Sequence, residues 1–349
     1  MNFMWPMRPP RAAFLILAFL VGSATAAPLD IQAVNDAQWP PARTVKGQIA
    51  PILVKAQVLL DRARFSPGEI DGKSGDNFRK ALTAFAAGKG LNSAGELTED
   101  VWRALASTSS EPILTEYTIS ADDVRGPFVK KIPARLESMK KLPALAYTSA
   151  REKLAEKFHM NQELLRTLNR GEKFETAGDK IVVANVAADD LPQKAGRIEV
   201  DKNTQVLKVF GTDEKLLAVY PATVGSAEKP APSGRLKVTR VSKNPTYHYN
   251  PKYAFKAVRT TKPFTIKPGP NNPVGLVWIG LSGEGYGIHG TPEPSKIGKT
   301  ESHGCVRLTN WDALRLASAV AKGIPVDFSG GEPAAGEASA DATRKRTRR

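Results

Sequence analysis

The apolar residues of this chain change their spacing near Arg197, and that change dictates what kinds of core it can build. Upstream they recur every three or four positions. Ile52, Ala56, Leu59 and Leu60 would share one helix face, Phe78, Ala81, Leu82 and Phe85 a second, and Val101, Trp102 and Leu105 a third. Downstream they alternate or cluster in short β-rich runs at 198–200, 205–210, 216–220, 235–241, 277–279, 286–288 and 325–328. Asn203, Asp213 and Pro232-Ser233-Gly234 supply turns between those runs. A single helix is predicted there, over about 310–322. Many short strands with one helix predict a β-rich sandwich or barrel-like domain.

At 349 residues the chain should hold two or three domains. Residues 1–26 read as a secretory signal: Arg8 and Arg11, an apolar run from Ala12 to Val21, then Ala24-Thr25-Ala26. An uncleaved membrane anchor is the alternative, although the run is short for a span of about 20 residues. Residues 27–47 are unpatterned and read as a leader or linker. A three-helix module is expected over 48–106, with turns at Ser66-Pro67-Gly68 and Asp71-Gly72, a helix at 76–88 and Thr98 capping the third helix. Residues 107–116 read as a linker. A mixed segment over 117–188 has a strand at Tyr117, an amphipathic helix pair at 150–169 and a strand at 180–183, a β-α-α-β outline. His159 in that pair reads as a surface or packing residue. Residues 330–349 are Gly-, Ala- and Ser-rich, end in five cations and are expected to be disordered.

The net charge of +15 suits any polyanion. Export makes nucleic acid an improbable partner and points to an anionic polymer of the cell envelope. A membrane would be a partner only if the signal stays on.

Cys305 is the only cysteine. An exported chain rarely keeps an odd thiol, which can form no internal disulfide. This one sits in Ser302-His303-Gly304-Cys305-Val306-Arg307-Leu308, sixteen positions after His289. A thiol that attacks an amide needs a base, because only a few per cent is thiolate at neutral pH. His303 lies two residues away and His289 can approach from another strand. Gly290 and Gly304 would permit close backbone approach and leave amides for an oxyanion. Four histidines and one cysteine offer no metal cluster.

Three stretches resemble known families. Ile70-Asp71-Gly72-Lys73, Phe78 with 81–85, Gly95-Glu96-Leu97-Thr98 and 101–105 resemble the small peptidoglycan-binding domain, with Ala86 where that family usually has Gln. The β-α-α-β segment resembles a lysin-motif (LysM) glycan binder, although a long insertion separates Tyr117 from the helices. Residues 195–329 resemble the L,D-transpeptidase catalytic domain of YkuD type, on Ile288-His289-Gly290-Thr291, the run 302–308 with Asp312 beyond it, and Lys267 to Gly275 with Trp278-Ile279. The expected fold is therefore multi-domain: a small all-α three-helix module, an α+β LysM-like segment and a mainly-β L,D-transpeptidase domain with one helix.

That resemblance implies Cys305 as nucleophile and His289 as proton acceptor and donor, with the Gly290 carbonyl orienting the ring. The amides of Gly304 and Cys305 would form an oxyanion hole. His303 would support the site, Arg307 would hold a substrate carboxylate, and Ser302 would also touch substrate. The family often carries Trp in the loop 244–251, where this chain has Tyr247 and Tyr249 as candidate substrate contacts. The implied reaction is acyl transfer through a thioester: D-alanine leaves a peptidoglycan stem, and another stem's amine completes a 3→3 crosslink in the periplasm or envelope. It uses no cofactor or metal, and carbapenems should acylate the same thiol. Two other uses remain open: the same thioester resolved by water or a lipoprotein lysine, and a non-catalytic wall-binding scaffold.

Overall fold

In the computed structural model, the described residues are 29–41, 47–186, 190–226, 229–253, 258–300 and 304–330, with Met1 and Val45. The signal and basic-tail expectations fall outside them, apart from Met1 and Gly330, as do Ser302 and His303. Among the described residues no helix is long and apolar enough to cross a membrane.

The stretch read as a leader contains a helix, α1 (Ile31–Asn35), capped by the Asp30 carboxylate. Its Val34 is fully buried, and the Asn35 side chain accepts from the amides of Ile113 and Leu114 at 2.9 and 2.8 Å. The linker expectation is thus corrected: this piece docks because it satisfies backbone groups that would otherwise lack partners. The three predicted helices follow as α2 (Pro51–Arg62), α3 (Asp76–Gly88) and α4 (Glu99–Ala106). Pro51 starts α2, where its missing N–H costs nothing, and the Thr98 hydroxyl caps α4. Every apolar residue assigned to their inner faces is buried.

Strand β1 (Leu114–Thr118) begins inside the expected linker. The insertion after it carries two one-turn helices, α5 (Ala121–Val124) and α6 (Leu136–Met139). The predicted pair follows as α7 (Ala150–Lys157) and α8 (Gln162–Leu168), then β2 (Lys180–Ala184), antiparallel to β1. The two N-terminal regions are not separate cores. One apolar cluster runs from Val34 to Ala184, and Ile70 exchanges backbone hydrogen bonds with His159 and Asn161. Pieces of about 60 residues bury too little surface to be comfortable alone, and fusing them enlarges the core.

The remaining strands are β3 (Ala195–Asp201), β4 (Val206–Gly211), β5 (Leu216–Pro221), β6 (Thr223–Val224), β7 (Gly234–Lys243), β8 (Tyr247–Tyr249), β9 (Phe264–Ile266), β10 (Val277–Leu281), β11 (Gly287–His289) and β12 (Val306–Arg307). Helix α9 (Asn310–Ala319) and β13 (Pro325–Ser329) complete the set. Nine strands form one sheet in the order β5-β4-β3-β13-β7-β10-β11-β12-β6, and β8 and β9 form a separate hairpin. The ten-residue β7 joins its two halves: its first part pairs with β13 and its second with β10. Helix α9 lays Ala313, Leu316 and Ala317 into this second core. It ends before the predicted 322, because Val320 turns to extended backbone while staying buried.

The two bodies are joined through polar groups. Ser66 donates its amide to Val219 O and its hydroxyl to the Asp312 carboxylate at 2.8 Å. Asp61 on α2, fully buried, meets Arg315 of α9 at 3.3 Å and His159 at 3.0 Å. His159 also stacks on Trp311, with ring centroids 5.2 Å apart. It is a packing residue placed at the junction.

Candidate active site

The site is built where β11 and β12 run side by side in parallel, an arrangement shared in the nine-stranded sheet only by β3 and β13. Ile288 pairs with Val306 and His289 with Arg307, and Leu308 donates to His289 O at 2.9 Å. Successive side chains alternate in direction, so His289 and Arg307 share one face while Ile288 and Val306 go into the core. Both core residues are 1 % exposed or less. Cys305 immediately precedes β12. Its thiol reaches the Gly285 carbonyl just before β11, and Gly287 and Arg307 both act on it. Two segments separated by a spacer thus meet because both edges of the pair are anchored, β11 by β10 and β12 by β6.

The imidazole of His289 is buried and held on two sides. Nδ1–H donates to Gly290 O at 2.7 Å, and the ring stacks on Trp278 with centroids 5.6 Å apart. That bond leaves Nε2 as the basic nitrogen. Burial pushes the imidazole pKa down to about 3, Arg307 pushes it the same way, and the Gly290 bond only partly offsets them. Residue 289 is therefore neutral at rest.

Cys305 is half-buried, and its thiol lies 3.6 Å from Gly285 O as a donor. Burial pushes the thiol pKa up, against a backbone hydrogen bond from Gly287 and the charge of Arg307. At rest both groups are thus neutral, a thiol and an imidazole, not a preformed ion pair. Gly304 takes φ +94°, in the left-handed region, so the turn before Cys305 needs glycine. Burial lowers the Arg307 pKa, whereas Cys305, Glu293 and Tyr247 raise it.

Strand β8 brings Tyr247 near this group. Burial, then Cys305 and Tyr249, keep its phenol protonated. Tyr249 is different: it is 3 % exposed and stacks on Phe264 at 4.8 Å. The hairpin uses it as a packing residue. Asp312 faces the N-terminal body through Ser66 and plays no part in this cluster. Ser302 and His303 lie outside the described residues. No group of three metal-ligating side chains occurs among the described residues.

Three neighbours escaped the sequence reading as site residues. Trp278 supports the His289 ring, and its indole leaves no room for a Cβ at Gly287, which would lie 2.6 Å from it. Asn310 sits against Gly290, with Oδ1 2.3 Å from where a Cβ would be. The glycine run Gly285-Tyr286-Gly287 hinted at crowding; nothing marked Asn310 beyond a helix start.

Comparison with known proteins gives a consistent result. A family model for the YkuD L,D-transpeptidase catalytic domain matches residues 195–327. The putative L,D-transpeptidase YkuD of Bacillus licheniformis is 30% identical over 181 residues, covering 51% of this chain and 92% of that protein. The putative L,D-transpeptidase YqjB of Bacillus subtilis is 32% identical over 133 residues, covering 36% of this chain and 67% of its own. Among solved structures, L,D-transpeptidase 3 from Mycobacterium tuberculosis is 17% identical over 44% of this chain and 76% of that one, with a TM-score of 0.33, too low to add to the fold assignment. On the family match and the relative spanned almost end to end, this chain belongs to the L,D-transpeptidase family.

Proposed function

We propose that the chain is an exported cell-wall enzyme that forms 3→3 peptidoglycan crosslinks with Cys305 as its nucleophile. The observation that carries this reading is the parallel β11–β12 pair, which sets His289 beside Arg307 with Cys305 directly preceding β12, and which leaves Nε2 of His289 as the available base.

The donor is a tetrapeptide stem ending in D-alanine. Arg307 binds its terminal carboxylate as a fork of donors, Tyr247 and Ser302 contact the substrate, and His303 supports the site. As the sulfur attacks the carbonyl of the third residue, the thiol proton passes to His289 Nε2. The amides of Gly304 and Cys305 stabilise the oxyanion. The C–N bond breaks, the imidazolium protonates the D-alanine amine, and a thioester remains. The side-chain amine of a second stem attacks that thioester and gives its proton to Nε2. The thiolate leaves and recovers the proton from the imidazolium. Arg307 helps twice: it favours the thiolate, and a substrate carboxylate on it cancels the charge that disfavours the imidazolium. The N-terminal body holds the enzyme on peptidoglycan in the periplasm or envelope, and the cationic excess favours other anionic polymers there.

Incubation of the full chain with disaccharide-tetrapeptide, followed by tandem mass spectrometry, tests the proposal. A 3→3 dimer with one equivalent of released D-alanine is expected. Tripeptide alone would make water the acceptor and overturn crosslinking. No product would leave a wall-binding scaffold.

A further inference from the structure

Helix α7 lies outside the catalytic domain, yet its two buried acids, Glu152 and Glu156, each grip an asparagine of that domain. They are four residues apart and so share one helix face. Glu152 Oε1 accepts from Asn271 Nδ2 at 2.9 Å. Glu156 Oε2 and Oε1 accept from Asn310 Nδ2 at 3.0 and 3.3 Å, and Tyr147 donates to Oε2 at 3.4 Å. Glu156, Asn271 and Asn310 are 8 %, 3 % and 1 % exposed.

The other end of the Asn310 amide reaches the catalytic histidine's support. Oδ1 accepts from Leu276 N at 3.0 Å. It also fills the space beside Gly290 and Gly275, lying 2.3 and 2.1 Å from where a Cβ would stand on each. Gly290 supplies the carbonyl that holds His289 Nδ1. A primary amide has a donor end and an acceptor end, and only its partners decide which way it points. The Glu156 carboxyl, joined by Pro270 O at 3.2 Å, takes the donor end, so the acceptor end faces Leu276 and the Gly290 backbone.

We infer that Glu156 is a positioning residue for the His289 imidazole, acting through Asn310 on the Gly290 carbonyl. The inference rests on the proposed role of His289 as the base. It also gives the non-catalytic body a task in catalysis: α7 sets the geometry of a proton carrier on a different core.

The test uses the full chain and two variants. Glu156→Leu removes the carboxyl acceptor but fills the space with a group of similar volume, leaving Pro270 O as the remaining acceptor for the Asn310 amide. Glu156→Gln keeps an acceptor in place. Two readouts are measured: the acylation kinetics of Cys305 by a carbapenem, and the ¹⁵N signals of His289 in histidine-labelled protein. We expect Glu156→Leu to lower the maximal acylation rate about tenfold, the scale of a slightly misplaced catalytic group, at an unchanged half-saturating concentration. The His289 signals should move with it, and Glu156→Gln should restore both. Should Glu156→Leu fail to fold, Asn310→Ser takes its place. Unchanged rate and signals, or a Gln variant as slow as the Leu variant, would overturn the inference. If the unaltered protein is not acylated at all, the functional proposal fails, and the His289 signals still decide the role of Glu156.

Discussion

His289 and Cys305 are both neutral at rest, because each pays for its burial by giving up its charged form. Alkylation of Cys305 by iodoacetamide should therefore climb through the alkaline range, with no reactive plateau below neutrality. A plateau at pH 5 would instead reveal a stable ion pair. Arg307 adds to the low imidazole pKa, so Arg307→Leu should raise it from about 3, read by NMR titration of the labelled ring. His289→Ala should slow acyl transfer by roughly a hundredfold to ten-thousandfold, the usual worth of a positioned acid–base group. Thiol titration should still find Cys305 in place.

Elements explain why the site exists at all. Strands of two and three residues, β12 and β11, could not hold a geometry alone; β10 and β6 fix them on either side. Gly287→Ala would drive a methyl group into the Trp278 indole that supports His289. It should cut Cys305 acylation by at least tenfold, measured alongside thermal unfolding to separate site damage from general loss. The Ile288-His289-Gly290 and 302–308 motifs were readable because each residue's chemistry is local. The long strands and amphipathic helices were also readable, since their periods persist over many residues. Strands β6, β8, β9 and β12 were not, being two or three residues long and formed only by their neighbours. Helix α1 was missed because its partners, Ile113 and Leu114, lie nearly 80 positions away. The surroundings of Asn310 and Tyr249 were hidden for the same reason: they depend on Glu156 and Phe264, which no spacing rule connects to them.

At the scale of the whole molecule, two cores are locked by buried charge. Burial alone would raise the Asp61 pKa, but His159 and Arg315 outweigh it and hold the carboxylate ionised. Removing the carboxylate takes from the buried Arg315 its strongest counter-charge, with Asp312 still acting on it, so Asp61→Ala should cost about 3–5 kcal/mol in denaturant unfolding. The pH dependence of stability has two limbs. An unfolded chain protonates His289 near its ordinary 6.5, whereas the folded one resists until about 3, so stability falls with pH across that window. Burial, then Glu152, raises the Glu156 pKa from 4.5 to about 8, a shift that Asn310 only partly opposes. Its contribution is complete below 4.5 and is lost as pH rises through 8. Glu156→Gln should flatten that alkaline limb in unfolding midpoints measured against pH. The most direct measurement is the intact mass of the full chain after brief exposure to a carbapenem, with peptide mapping. One covalent adduct is expected, on Cys305, absent in Cys305→Ala and much slower in His289→Ala. A folded protein that gains no adduct, or gains it equally fast without the imidazole, would contradict it.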